Sequence, residues 1–165
     1  MLYFSRMQVR FYLGVGEPDA ITSTWVHESI HARQPFGSDH EYSTWTGYEE
    51  GMTEGLTHRL LISQGVTQVD VSFPFYVTAY EEIARMLGID VVTLWRGLWR
   101  HQSGSVRASF ISIVNLTLIQ SRRDILTMRQ RERLQLATDT LFSTHHRNDR
   151  PDRRAIADLL KRVVQ

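Results

Sequence analysis

Residues 27–61, HESIHARQPFGSDHEYSTWTGYEEGMTEGLTHRLL, decide how this chain is read. His27 and His31 stand four positions apart at the end of one helical pattern, and an acidic run from Glu49 to Glu54 opens the next. At 3.6 residues per turn, positions four apart are offset by only about 40° around a helix, so both imidazoles project from the same face. Glu50 and Glu54 share a face of the second helix by the same rule. The stretch 35–43 between them, rich in Gly, Ser, Asp and His, reads as a loop. Two helices carrying imidazoles and carboxylates on defined faces are the frame for everything else.

Outward from that frame, Asp19 or Thr22 can cap the histidine helix, which stops before Pro35 and Gly37. Ser43, Thr44 or Thr46 can cap the glutamate helix, which ends at Gly65. Residues 7–13, MQVRFYL, mix β-branched and aromatic residues and run into Gly14-Val15-Gly16, the pattern of one strand closed by a turn. The alternation in 66–72, VTQVDVS, fits a short strand or a loop. Pro74 opens a helix reaching Leu87 with Gly88 as its stop, and Asp90 caps the next amphipathic stretch. Further helices are expected over 106–120, about 122–143 and 152–164. The expected architecture is mainly α within an α+β class: a small N-terminal β element, the histidine helix, the glutamate helix and a C-terminal helical bundle. The whole of 1–165 reads as one domain, with a metal-site half (1–65) and a helical half (66–165).

The composition of 165 residues, 42% hydrophobic and 22% charged, is that of a single globular domain able to bury a core. There is no cysteine, so disulfides are excluded and any zinc site must be built from imidazole and carboxylate. No stretch approaches the roughly 20 apolar residues that span a bilayer. The N-terminus lacks the apolar core and cleavage site of a secretory signal, which sets a cytoplasmic expectation without a membrane partner. Residues 1–121 carry 8 Arg and Lys against 12 Asp and Glu, while 122–165 carry 11 against 6. The basic tail also holds spaced apolar residues such as Leu134 and Leu141, so amphipathic helices with arginines on the wet face account for it better than nucleic-acid binding.

The pentad His27-Glu28-Ser29-Ile30-His31 has the form HExxH, the pattern of a zinc-binding metallopeptidase helix. His27 and His31 can share one zinc ion, while Glu28, about 100° around the helix, lies beside the metal where a carboxylate can act on water. Two imidazoles leave zinc short of a third protein ligand. Glu50 is the candidate for it, and Glu54, one turn on, can accept the other ring N–H of His27. Glu49 is the rival ligand, but it projects away from the face that aligns Glu50 with Glu54. Tyr42, Tyr76, Tyr80 and His101 are candidate oxyanion donors, each weighed against a packed aromatic or an exposed histidine. His58 continues the Glu50–Glu54 face and could line the cleft. Trp25, Trp95 and Trp99 fall at helical spacings that suit a core, and Trp45 could wall the cleft.

With HESIH followed by EGMTE, the sequence resembles the gluzincin zinc metallopeptidases over residues 20–65, and only loosely beyond. The resemblance implies a zincin-like fold, one zinc ion on His27, His31 and Glu50, Glu28 as general base, and Glu54 holding a ligand from behind. It implies hydrolysis of peptide bonds in a peptide or protein substrate. Only some twenty residues precede the pentad helix, so a minimal or truncated gluzincin-like domain is implied. Two readings compete with it: a zinc-stabilised regulatory or protein-interaction domain that cleaves nothing, and a helical module binding nucleic acid through its basic tail. The tryptophans and the tail also permit an oligomer.

Overall fold

The computed structural model describes residues 18–32, 39–66, 71–100 and 104–164. These form eight α-helices: α1 (Pro18–His31), α2 (Asp39–Thr44), α3 (Gly47–Ser63), α4 (Pro74–Leu87), α5 (Val91–Arg100), α6 (Val106–Gln120), α7 (Met128–Leu141) and α8 (Arg153–Val164). A single 3-10 turn, Thr144–His146, links the last two. No described helix is long and apolar enough to cross a membrane.

Helix α3 lies at the centre, packed on α1, α4, α5 and α6, while α8 closes over α4 and α7. Its sequence explains the position. Gly47, Gly51 and Gly55 recur every fourth residue and make one side of the helix bare backbone. A Cβ added at Gly51 would sit 2.7 Å from the Tyr76 Cβ, and one at Gly55 would sit 2.5 Å from the Trp95 ring. The rings of Tyr76, Tyr80 and Trp95 therefore rest directly on α3, and Tyr48, Phe110 and Phe142 extend the same aromatic core. Each large side chain buried in this way contributes about 1.5–3 kcal/mol.

Several boundaries fall where local chemistry puts them. Pro74 opens α4, and Gly88, at φ 65°, ends it in the left-handed conformation that glycine adopts without strain. The Asp90 carboxylate accepts the Thr93 N–H at 2.7 Å at the start of α5. Ser105 caps α6 through the Ala108 N–H. Thr127 and Gln130 form a reciprocal capping box that starts α7 at Met128, six residues later than the 122 expected from periodicity. Residues 39–44, which overlap the 35–43 stretch whose composition indicates a loop, form the short helix α2, and Thr46 precedes α3 without a side-chain cap.

The zincin-like α+β expectation is overturned. Every regular element among the described residues is helical, and none is a strand. The strand expected over 7–13 lies outside the described residues, as do 67–70 of the second strand candidate. The flanking Val71–Phe73 is irregular, and the Ser72 N–H bonds to the Glu54 carboxylate at 2.8 Å where a strand would bond a neighbouring strand. The physical reason lies in α3: with one glycine side and one carboxylate side, it satisfies all its neighbours as helices. Trp25 is corrected too, since it is 58% exposed, whereas Trp95 is fully buried.

Candidate metal centre

Helix α1 meets the body of the protein along the side of α3 that carries Glu50 and Glu54. The helical spacing puts His27 and His31 on that contact, and all four side chains are buried. The His27 Nε2, His31 Nε2 and Glu50 Oε2 atoms converge: His27 to His31 is 3.1 Å, His27 to Glu50 3.1 Å and His31 to Glu50 3.2 Å. Ligands about 2.0–2.2 Å from a tetrahedral zinc lie about 3.3–3.6 Å from one another. The triangle is therefore close to the size one ion requires, and these three residues form a group that could hold a metal.

Proton accounting makes the same point. His27 Nδ1 lies 2.9 Å from Glu54 Oε2, and an ionised carboxylate only accepts, so Nδ1 carries a hydrogen. In the neutral ring Nε2 then presents a lone pair, and it faces a second carboxylate, Glu50, at 3.1 Å. Lone pair against lone pair at that distance requires a cation between them, either a proton or a metal ion. Without metal the proton takes the place. Burial opposes charge on His27, but its hydrogen bonds to Glu50 and Glu54 and the charges of both carboxylates outweigh it and raise the ring to about 9. Burial likewise opposes charge on Glu50, yet His27, His31 and Tyr42 hold it well below the usual carboxylate range.

The surroundings orient the group. Glu54 is fixed from two sides, by His27 through Oε2 and by the Ser72 N–H through Oε1. This is the carboxylate–histidine pairing that sets the tautomer of a metal-binding imidazole. Tyr42, on α2, donates its hydroxyl to the second oxygen of Glu50, which leaves Oε2 directed at the histidines. Burial, with Glu50 nearby, raises the Tyr42 hydroxyl well above its ordinary value and keeps it a donor. Phe73 lies beside the group with its ring 6.1 Å from that of His27, and the Arg147 guanidinium lies 5.5 Å from the Phe73 ring centre.

The residues named from sequence are placed unevenly. His27, His31, Glu50, Glu54 and Tyr42 come together, and Glu28, half-buried, follows His27 on α1 and is not part of the group. Glu49 is buried yet does not enter the cluster. Tyr76 donates to the Ser143 carbonyl at 2.8 Å, and burial raises its hydroxyl, with Glu50 adding to the rise and Arg147 opposing it. Tyr80 donates to the Tyr48 carbonyl inside the core, away from any cleft. His58, half-buried, makes no hydrogen bond to the group, and Trp45 is covered by the Arg107 guanidinium at 3.9 Å. His101 lies outside the described residues. Ser72 and Phe73 escape sequence reasoning; one acts through its backbone N–H, which no side-chain motif reveals. No family model matches the chain, and neither do any curated proteins or solved structures.

Proposed function

We propose that this protein is a zinc-dependent hydrolase of amide bonds, holding one ion on His27, His31 and Glu50 and using Glu28 as its general base. The observation that carries the reading is the closure of three donor atoms, two from α1 and one from α3, to 3.1–3.2 Å, with Glu28 following His27 in the α1 sequence. A purely structural ion has no need of Glu28. Zinc there would polarise a carbonyl and bring the pKa of a coordinated water to about 7. Glu28 would accept the proton of the attacking water and hand it to the leaving amine. Glu54 holds His27 in the tautomer that offers Nε2, and Tyr42 keeps Glu50 turned toward it. The likeness to gluzincins is then one of site chemistry, carried on a helical framework.

One observation favours the second reading, a metal-fastened interaction domain without catalysis. No strand among the described residues offers an edge to an extended peptide. Two measurements separate the readings. Elemental mass spectrometry should find about one zinc per chain in the wild type and none in His27→Ala or Glu50→Ala. Glu28→Gln should keep the zinc and lose at least about 100-fold in cleavage of a quenched-fluorescence peptide library. A wild type that stays empty when zinc is supplied refutes the centre. A zinc-loaded wild type that cleaves nothing leaves the interaction domain.

A further inference from the structure

The side of α1 turned away from the histidines forms the wall of a separate cleft of about 640 Å³, closed by α3 and α5. Its apolar lining includes Val26 and Ile30 from α1, Leu56 and Leu60 from α3, and Val92 and Trp99 from α5. Trp25 lies at its margin, 58% exposed, and Leu60 is 46% exposed. Large apolar side chains left this open beside a concavity mark a surface that another molecule covers.

The charges around the cleft narrow what that molecule is. Arg59, Arg96 and Arg100 line it, all three exposed, and no Asp or Glu does among the described residues. Arg59 feels the charge of Asp90, but Arg96 and Arg100 form no ion pair among the described residues. The two stand one turn apart on α5 and also border a second, smaller depression with Leu116. The Trp99 Nε1–H is buried without an acceptor among the described residues. The cleft therefore asks for apolar groups on its floor and several carboxylates at its rim. A fatty acid supplies one carboxylate against three guanidinium groups. The chain's own residues 1–17 carry Arg6 and Arg10 against Glu17 alone, and its C-terminal segment is basic, so neither matches.

We infer that the cleft between α1, α3 and α5 docks a segment of another protein in which large apolar residues alternate with aspartates or glutamates. Apolar anchors fill the floor while the arginines take the flanking carboxylates, the usual anatomy of a peptide-binding groove. None of its lining residues is a ligand of the proposed metal centre, although α1 serves both sites.

The test is selection of a displayed random twelve-residue peptide library on the full chain, followed by fluorescence anisotropy of the enriched peptides. Peptides combining Leu, Ile, Phe or Trp with Asp or Glu should be enriched, and binding should shift tryptophan emission to shorter wavelength as Trp25 is covered. The double variant Arg96→Glu/Arg100→Glu should weaken binding at least tenfold, as should Leu60→Asp. These positions are exposed, and circular dichroism checks that each variant stays folded. Raising the salt should weaken the wild-type complex. Failure to enrich any peptide, enrichment without acidic residues, or indifference to the charge reversal would overturn the proposal. So would displacement of the peptides by sodium decanoate or phosphatidylglycerol vesicles, which assigns the cleft to lipid. A dimer by sedimentation that the same variants abolish would assign it to a second copy of the chain.

Discussion

The two sides of α3 hold their neighbours by opposite means. Along Gly47, Gly51 and Gly55 the helix offers backbone to the rings of α4 and α5, and attraction comes from apolar burial and close packing. Along Glu50 and Glu54 it offers charge to the imidazoles of α1, so attraction depends on which protons or ions are present. The first contact is insensitive to solution conditions and intolerant of an added atom. The second tolerates change of shape and responds to pH and metal. One helix thus supplies a fixed core and a conditional site, and α1 packs on the body chiefly through the conditional one.

The largest effect should come from filling the bare side. Gly51→Val would drive carbon atoms into Tyr76, whose own Cβ lies 2.7 Å from the first of them. Overpacking on that scale should cost about 3 kcal/mol, or a fall in Tm of about 6–12 °C for a chain of this size. A scanning calorimetry trace unchanged from wild type would show that the two sides do not differ as described.

On the conditional side, pH should act with a definite sign. His27 is raised from 6.5 to about 9 in the folded, metal-free chain, so the stability it contributes is complete below about 6.5 and is lost as pH rises through about 9. Zinc displaces that proton, so zinc affinity should fall up to about tenfold for each pH unit below 9. Calorimetric titration in buffers of different ionisation heat would count the released proton. A zinc affinity flat between pH 6.5 and 9 would remove His27 from the site.

Glu54→Ala sharpens the contrast further. With the His27 ring no longer held from behind, zinc should bind about 10–100-fold more weakly. Amide exchange in α1 should quicken while α4 and α6 keep their protection, since their packing on α3 is untouched. The smallest effect belongs to Tyr42→Phe, which leaves the ligands in place and removes one donor from Glu50. Zinc affinity should change less than about tenfold, seen in competition with a chromophoric chelator, and the melting curve should barely move.

The site is far more legible in the sequence than the fold. Spacing of four within a helix is a geometric constraint that survives any packing, so the amino-acid order alone aligns His27 with His31 and Glu50 with Glu54. That Glu54 meets the other nitrogen of His27 needs the pairing of α1 with α3 as well. Tyr42 stands out by its position between the two helices, although it acts on Glu50 as a donor from a short helix where the composition indicates a loop. The glycine repeat at 47, 51 and 55 is visible too. It states that something approaches closely, but three glycines do not say whether that something is a helix, a strand or a ring.

What the sequence by itself determined is the set of local relations: which side chains share a face, that no cysteine can bind metal, and where Pro74, Gly88 and Asp90 bound their helices. Only the tertiary structure decided that α1 and α3 pair face to face, that the described framework is helical without strands, and that Tyr76 and Tyr80 serve the core. It also decided that Trp25 faces outward beside three arginines. Local geometry is fixed by bonds and helical pitch, which every position carries in its neighbours. Pairing between elements is a competition among many apolar surfaces of similar free energy, and it resolves only when all of them are packed at once.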